Sequence, residues 1–273
     1  MSAVANALRL RYGAEAQPEG MVWNETLELL LKHRSVRAYR DEPLPERALE
    51  TMIAAAQSPA SSSNLQAWSV VAVADQARKE RLAELAGAQG FIRRAPLFLV
   101  WVADLSRLAR MATQRGLPHE GLDYTELLVV GIIDATLAAQ NAVIAAESLG
   151  LGTVYVGAIR NRPLAVAAEL QLPPQAVAVF GLCVGWPDPE KPTAVKPRLP
   201  QGAVLHRETY DSASEADYVA QYNSAMSAFY AEQQMRVEGD WTDHSSKRIA
   251  GPQSLAGRDT LREALEQLGF GMR

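Results

Sequence analysis

The sequence predicts a mixed fold of helices and strands, α/β or α+β, from three observations. Short apolar runs that suit buried strands recur at 68–73, 97–102, 153–156 and 176–184. Helical spacing of apolar residues fills the intervals, most extensively over 122–149. The chain has 273 residues, 48% hydrophobic and 21% charged, which is enough to bury a sizeable core.

Residues 1 to about 20 read as a loose extension, because Gly13, Pro18 and Gly20 break any pattern. Leu27, Leu30 and Leu31 then recur at helical intervals, so 24–33 reads as a helix with Asn24 as its N-cap. A second helix is expected over 46–57. Ser58 to Asn64 is a loop by composition, and Trp68 to Val73 a strand. Residues 75–87 read as a helix, and Leu97 to Val102 as a strand buried on both faces. The helix over 122–149 is apolar on most sides and belongs in the core, stopped by Gly150 and Gly152. A strand at 153–156, a helix from Pro163 to Leu170 and a buried strand from Ala176 to Val184 follow. Five prolines between Pro187 and Pro200 hold the chain extended. A polar helical pattern covers 214–235, a turn falls at Gly239, and a last helix spans 257–268.

Composition excludes several classes of function. The net charge of −4 gives no general attraction to nucleic acid. A single cysteine, Cys183, allows neither an intramolecular disulfide nor a cysteine metal site, and fits a reducing compartment. His33, His119, His206 and His244 show no metal-ligand spacing, so no metal is expected. The 127–149 stretch is interrupted by Asp134, Gln140, Asn141 and Glu147, which argues for a core helix over a membrane span. A cytoplasmic location is expected.

Four segments could carry chemistry. His33-Arg34-Ser35-Val36-Arg37 offers two planar guanidinium forks and a short hydroxyl donor, which suit phosphate oxygens. Alone it reads equally as a solvated basic turn. Lys196-Pro197-Arg198 sets two cations around a rigid residue, and alone is equally a charged linker. Ser61-Ser62-Ser63-Asn64-Leu65-Gln66 lets backbone approach a flat ligand and offers donors to its edge, or is a plain polar loop. The Gly150-Leu151-Gly152 run lacks the third glycine of a dinucleotide fingerprint and follows a helix, so a Rossmann site is rejected. Its glycines could instead bring backbone close to a ligand face. No nucleophile elbow or Walker loop is present. Cys183 sits mid-strand with no basic neighbour in sequence, so it reads as a structural thiol.

Taken in order, these segments resemble the nitroreductase superfamily, together with Gln140 to Gly152, Tyr155-Val156-Gly157-Ala158-Ile159-Arg160-Asn161, Phe180 to Pro187 and Lys196 to Pro200. The branch they resemble is that of the oxygen-insensitive NADPH nitroreductases and NADPH-flavin oxidoreductases. The resemblance covers Trp23 to the C-terminus. It implies an α+β fold, with a central, mainly antiparallel sheet flanked by helices, in a domain-swapped homodimer. It also implies an FMN-binding core at 23–210 and a helical excursion at 211–273 that wraps the partner subunit; residues 1–22 have no counterpart in the resemblance and read as a flexible N-terminal extension.

By the same resemblance, His33, Ser35, Lys196 and Arg198 hold the FMN phosphate, with Arg34 nearby. Arg37 and Gln89 lie at the pyrimidine edge of the flavin, where a cation favours the reduced form. Ser61, Ser62 and Ser63 line the flavin from the partner subunit, and Tyr155, Val156 and Gly157 cover one ring face. Arg236, ahead of Trp241-Thr242-Asp243, is the candidate for the NADPH 2′-phosphate. No side chain is required as acid or base, because the flavin carries the chemistry. The implied activity is ping-pong, two-electron reduction of a small-molecule acceptor by NADPH: a nitroaromatic, a quinone or a flavin. The alternatives are a flavin reductase that supplies reduced FMN to a partner monooxygenase, and a non-catalytic flavin-binding protein.

Overall fold

All eight residues of the strand Leu97–Asp104 are buried, and the sheet is built outward from it. The structure is a computed structural model that describes residues 2–13 and 21–273. In chain order the elements are α1 (Ala3–Tyr12), α2 (Glu25–Leu31), α3 (Ala48–Ala56), β1 (Trp68–Val73), α4 (Gln76–Leu85), α5 (Gly90–Arg94), β2 (Leu97–Asp104), α6 (Ser106–Gln114), α7 (Thr125–Ser148), β3 (Gly152–Val156), α8 (Pro163–Leu170), β4 (Ala176–Gly185), α9 (Glu215–Glu232), α10 (Trp241–Arg248) and α11 (Leu261–Gln267). The chain clusters into two compact units, one of residues 1–34 and 193–255, the other of 35–192 and 256–273. These cut the chain at other points than 22/23 and 210/211.

In the sheet unit the strand order is β1-β2-β4-β3, and every neighbouring pair is antiparallel. Alternation along the sequence left α/β and α+β open; the pairing makes the fold α+β. Both faces of β2 are covered, so its apolar run is continuous. Leu97, Leu99 and Trp101 join Leu182 and Val184 of β4 beneath Ala138, Ala139, Ala142 and Val143 of α7 and Met52 of α3. Phe98 and Val100 face the other way, with Cys183, Val154 and Val156, against Leu82, Ile92 and Val166. The small residues of α7 allow close approach to the sheet. At Gly131 even a methyl group would come within 3.1 Å of the Ala67 carbonyl.

Gly150 and Gly152 each have a structural role. Gly150 takes φ of +80°, which ends α7 at low cost. A Cβ on Gly152 would lie 2.7 Å from the Val36 side chain. That space lets 35–36 run beside β3, where the Val36 amide donates to the Thr153 carbonyl at 2.8 Å. Cys183 does have a basic neighbour, Lys79, brought close by folding. Burial nonetheless pushes the thiol up, and Lys79 opposes this only in part. The buried Lys79 ammonium donates to the Ala95 carbonyl at 2.7 Å.

Several elements were not expected. Residues 3–12, read as loose, form a helix: the Ser2 hydroxyl accepts from the Ala5 amide, and Gly13 at φ +95° ends it. The Pro18 and Gly20 breaks lie in 14–20, outside the described residues. Helices α5, α6 and α10 are short, and α6 and α10 are largely polar. The last helix is preceded by two 3-10 turns, Pro252–Leu255 and Arg258–Thr260, and its α-helical part is only Leu261–Gln267. Asn24 caps α2 as expected, accepting from the Leu27 amide at 2.9 Å.

Candidate functional site

In the helical unit, two cationic segments far apart in sequence share one residue. Arg11 of α1 is buried, at 5% exposure. Its Nη1 donates to the Lys196 carbonyl at 2.9 Å, and its Nη2 to the carbonyls of Leu31 at 2.8 Å and His33 at 2.9 Å. In return the Arg198 amide donates to the Arg11 carbonyl at 2.7 Å. The structure therefore brings His33-Arg34 and Lys196-Pro197-Arg198 together. His33 is half-buried, while Arg34, Lys196 and Arg198 are exposed. The Pro197 carbonyl accepts from the Tyr222 hydroxyl of α9 at 3.2 Å. Burial raises the Tyr222 phenol, and Arg198 partly offsets this. Among the described residues these two segments gather positive charge, and the guanidinium forks of Arg34 and Arg198 suit phosphate oxygens.

The same unit contains a cavity of about 640 Å³, lined by Leu8, Tyr12, Pro197, Ala225 and Phe229 among others. His33, Arg34, Lys196 and Arg198 are not part of its lining. Arg236 is exposed on the connection from α9 to α10. Helix α10 begins in a reciprocal capping box of Asp240 and Asp243, and His244 Nε2 lies 2.7 Å from the Glu238 carbonyl. Trp241 packs edge-on against Tyr222, with ring centroids 5.1 Å apart. These contacts fix the segment that follows Arg236.

In the sheet unit, the serine loop is fastened to α7 by Asp134, a carboxylate only 2% exposed. Asp134 accepts from the Ser61 hydroxyl at 2.7 Å, the Ala67 amide at 3.0 Å and the Ser62 amide at 3.3 Å. The Ser61 oxygen also accepts from the Gln66 amide at 2.7 Å. Ser61 is thus engaged within the loop, and Ser62 and Ser63 are exposed. Three residues here, Ser63, Asn64 and Gln66, hold left-handed φ between 48° and 56°. Such backbone persists only where surrounding contacts hold it, and it clusters where a loop meets a ligand.

Ser35 is half-buried and Arg37 exposed, on the strand-like segment beside β3. Tyr155 is half-buried, packs edge-on against Phe180 at 5.2 Å and points its hydroxyl at Gln140 Oε1, 3.4 Å away. Burial raises this phenol, with Glu147 adding to the effect, so it stays neutral. Val156 puts its side chain into the core, so it can offer a ligand only backbone. Gly157 opens the 3-10 turn Gly157–Asn161. Gln89 precedes α5 without a side-chain capping bond, after left-handed Gly87 and Ala88. Sequence reading missed Arg11 and Asp134. Asp134 was visible only as an interruption of an apolar run. The cap-and-stop pair Ser2 and Gly13 was the available signal for α1.

Comparison with known proteins identifies relatives over most of the chain. The Nitroreductase family model matches residues 30–186, and its C-terminal domain model matches 196–273. An oxygen-insensitive NADPH nitroreductase of Salmonella typhimurium is 40% identical over 249 residues, covering 91% of this chain and 99% of its own. An FMN reductase (NADPH) of Bacillus subtilis is 37% identical over 252 residues, covering 90% and 98%. The solved structure of NfrA1 nitroreductase from B. subtilis superposes with a TM-score of 0.84 at 35% identity, covering 90% of this chain and 99% of that one.

Proposed function

The chain belongs to the nitroreductase family, and from that membership we propose that it is an NADPH-dependent FMN oxidoreductase acting on nitroaromatics, quinones or flavins. The supporting observation is the cationic pair of segments gathered around Arg11, a donor set suited to the FMN phosphate. His33, Ser35, Lys196 and Arg198 hold that phosphate, with Arg34 beside it. Ser61, Ser62, Ser63, Tyr155, Val156 and Gly157 line the ring, and Arg37 and Gln89 meet its pyrimidine edge. When bound, FMN supplies two-electron transfer between the nicotinamide and the acceptor. The protein's part is to hold the ring, leave one face open and set the charge at its edge. Double-reciprocal plots of rate against NADPH, at several nitroaromatic concentrations, are expected to be parallel. Intersecting lines would exclude a shared, alternately occupied site.

Arg236 reads the 2′-phosphate of NADPH. Its replacement by alanine is expected to raise the KM for NADPH about tenfold or more, the loss of one charge-assisted contact, with little effect on NADH. Equal effects on the two cofactors would remove that role.

A second copy of the chain covers α7. Val129, Ile132, Ile133 and Leu137 lie along one side of this helix, each more than a third exposed. An apolar stripe of this length on a helix in water calls for a partner surface. The same helix is long and apolar enough to cross a membrane by composition, but half of that stretch is buried within the protein. Sedimentation at micromolar concentration is expected to give twice the 29.7 kDa mass of one chain. A monomer would contradict the assignment. The segment from residue 211 onward supplies the excursion that embraces the second copy. A cytoplasmic location suits the single buried thiol and the use of NADPH.

A further inference from the structure

We propose that Arg11, on a helix N-terminal to both matched family segments, is a positioning residue for the flavin phosphate site; this rests on the FMN reading above. The family models begin at residue 30, so α1 lies outside them. Arginine is rarely buried, and a buried guanidinium needs acceptors for its donors. Arg11 finds them in main-chain carbonyls of two separate segments, Leu31 and His33 on one side and Lys196 on the other. Its own carbonyl takes the Arg198 amide. One residue therefore ties together both segments that carry the phosphate's cations.

Two physical consequences follow. First, a trans peptide points its carbonyl and the next amide in opposite directions. Drawing the His33 carbonyl onto Arg11 turns the Arg34 amide to the side away from α1, as a donor set for an anion. Second, Arg34 and Arg198 carry like charges on two segments that Arg11 holds side by side. Fixing their backbones beforehand removes part of the ordering cost that binding must otherwise meet. Arg11 never touches the phosphate in this account. It sets where the groups that touch it begin.

The test compares FMN with riboflavin, which has the same ring and no phosphate. Dissociation constants are read by flavin fluorescence on full-length protein stripped of cofactor. Arg11→Ala is expected to weaken FMN about tenfold, with riboflavin unchanged within about twofold and turnover at saturating FMN preserved. Deletion of residues 2–13 is expected to behave the same way. Arg9→Ala, exposed on the same helix, is expected to bind FMN as the wild type does. Should Arg11→Ala fail to fold, Arg11→Gln and Arg11→Lys provide the same comparison, with Lys nearer to wild type. FMN affinity unchanged in the variants, or FMN and riboflavin weakened equally, would overturn the proposal while leaving the FMN reading intact. Wild-type protein that binds no FMN would overturn both.

Discussion

Replacing Asp134 by alanine is expected to lower the stability of the cofactor-free protein by about 3–5 kcal/mol, read from the urea unfolding midpoint. The carboxylate accepts from the Ser61 hydroxyl and from the Ser62 and Ala67 amides, and it is almost wholly buried. Hydrogen bonds to a charged group contribute about 1.5–3 kcal/mol, and a buried amide left without a partner costs about 1–3 kcal/mol. Ala67 is fully buried, so its N–H would have no water to turn to. The left-handed residues Ser63, Asn64 and Gln66 would also lose their anchor. Asp134→Asn keeps one acceptor oxygen but sets an NH2 group among donors, so an intermediate loss is expected. FMN affinity should fall with the loop's order. A loss below about 1 kcal/mol would show that the loop is held by other contacts.

Replacing Arg198 by alanine is expected to weaken FMN by about 1.5–3 kcal/mol, or roughly 10–150-fold in dissociation constant. Its backbone is fixed by the Arg11 carbonyl, and its guanidinium folds back on the Lys196 and Pro197 carbonyls at 3.2 and 3.1 Å. These are neutral acceptors, so a phosphate dianion would displace them. Arg198→Lys keeps the charge and loses the planar fork, so part of the affinity should survive. Raised salt should narrow the gap between wild type and Arg198→Ala, because the lost contact is largely electrostatic. Unchanged FMN affinity in Arg198→Ala would remove it from the phosphate site.

The sheet was legible in the sequence because a strand buried on both faces has nowhere to place a polar residue. Leu97 to Val102 and Ala176 to Val184 show this, and both fall within observed strands. Helix α7 was legible from its length and apolar content, although one side of it is exposed. What could not be read was strand direction, since apolar runs separated by helices fit parallel and antiparallel pairing alike. Helix α1 has apolar residues spread around it, so the breaks at Gly13, Pro18 and Gly20 outweighed its pattern; α6 is apolar on one face only, and α10 announces itself only by its cap. The cationic segments were legible as composition, yet each alone resembled an ordinary basic surface. Arg11 and Asp134 were not legible, because a single charged residue gains meaning only when folding shows what surrounds it. Among the described residues, the Arg11 guanidinium holds carbonyls 20 residues or more away in sequence, and Asp134 accepts from donors 67 or more away.

The most direct test of the account is an anaerobic absorbance spectrum of the purified protein, recorded before and after NADPH and again after a nitroaromatic. A bound flavin band that bleaches with NADPH and returns with the acceptor is expected. A protein that shows no flavin band even after FMN is added, or whose band NADPH leaves unchanged, would contradict it.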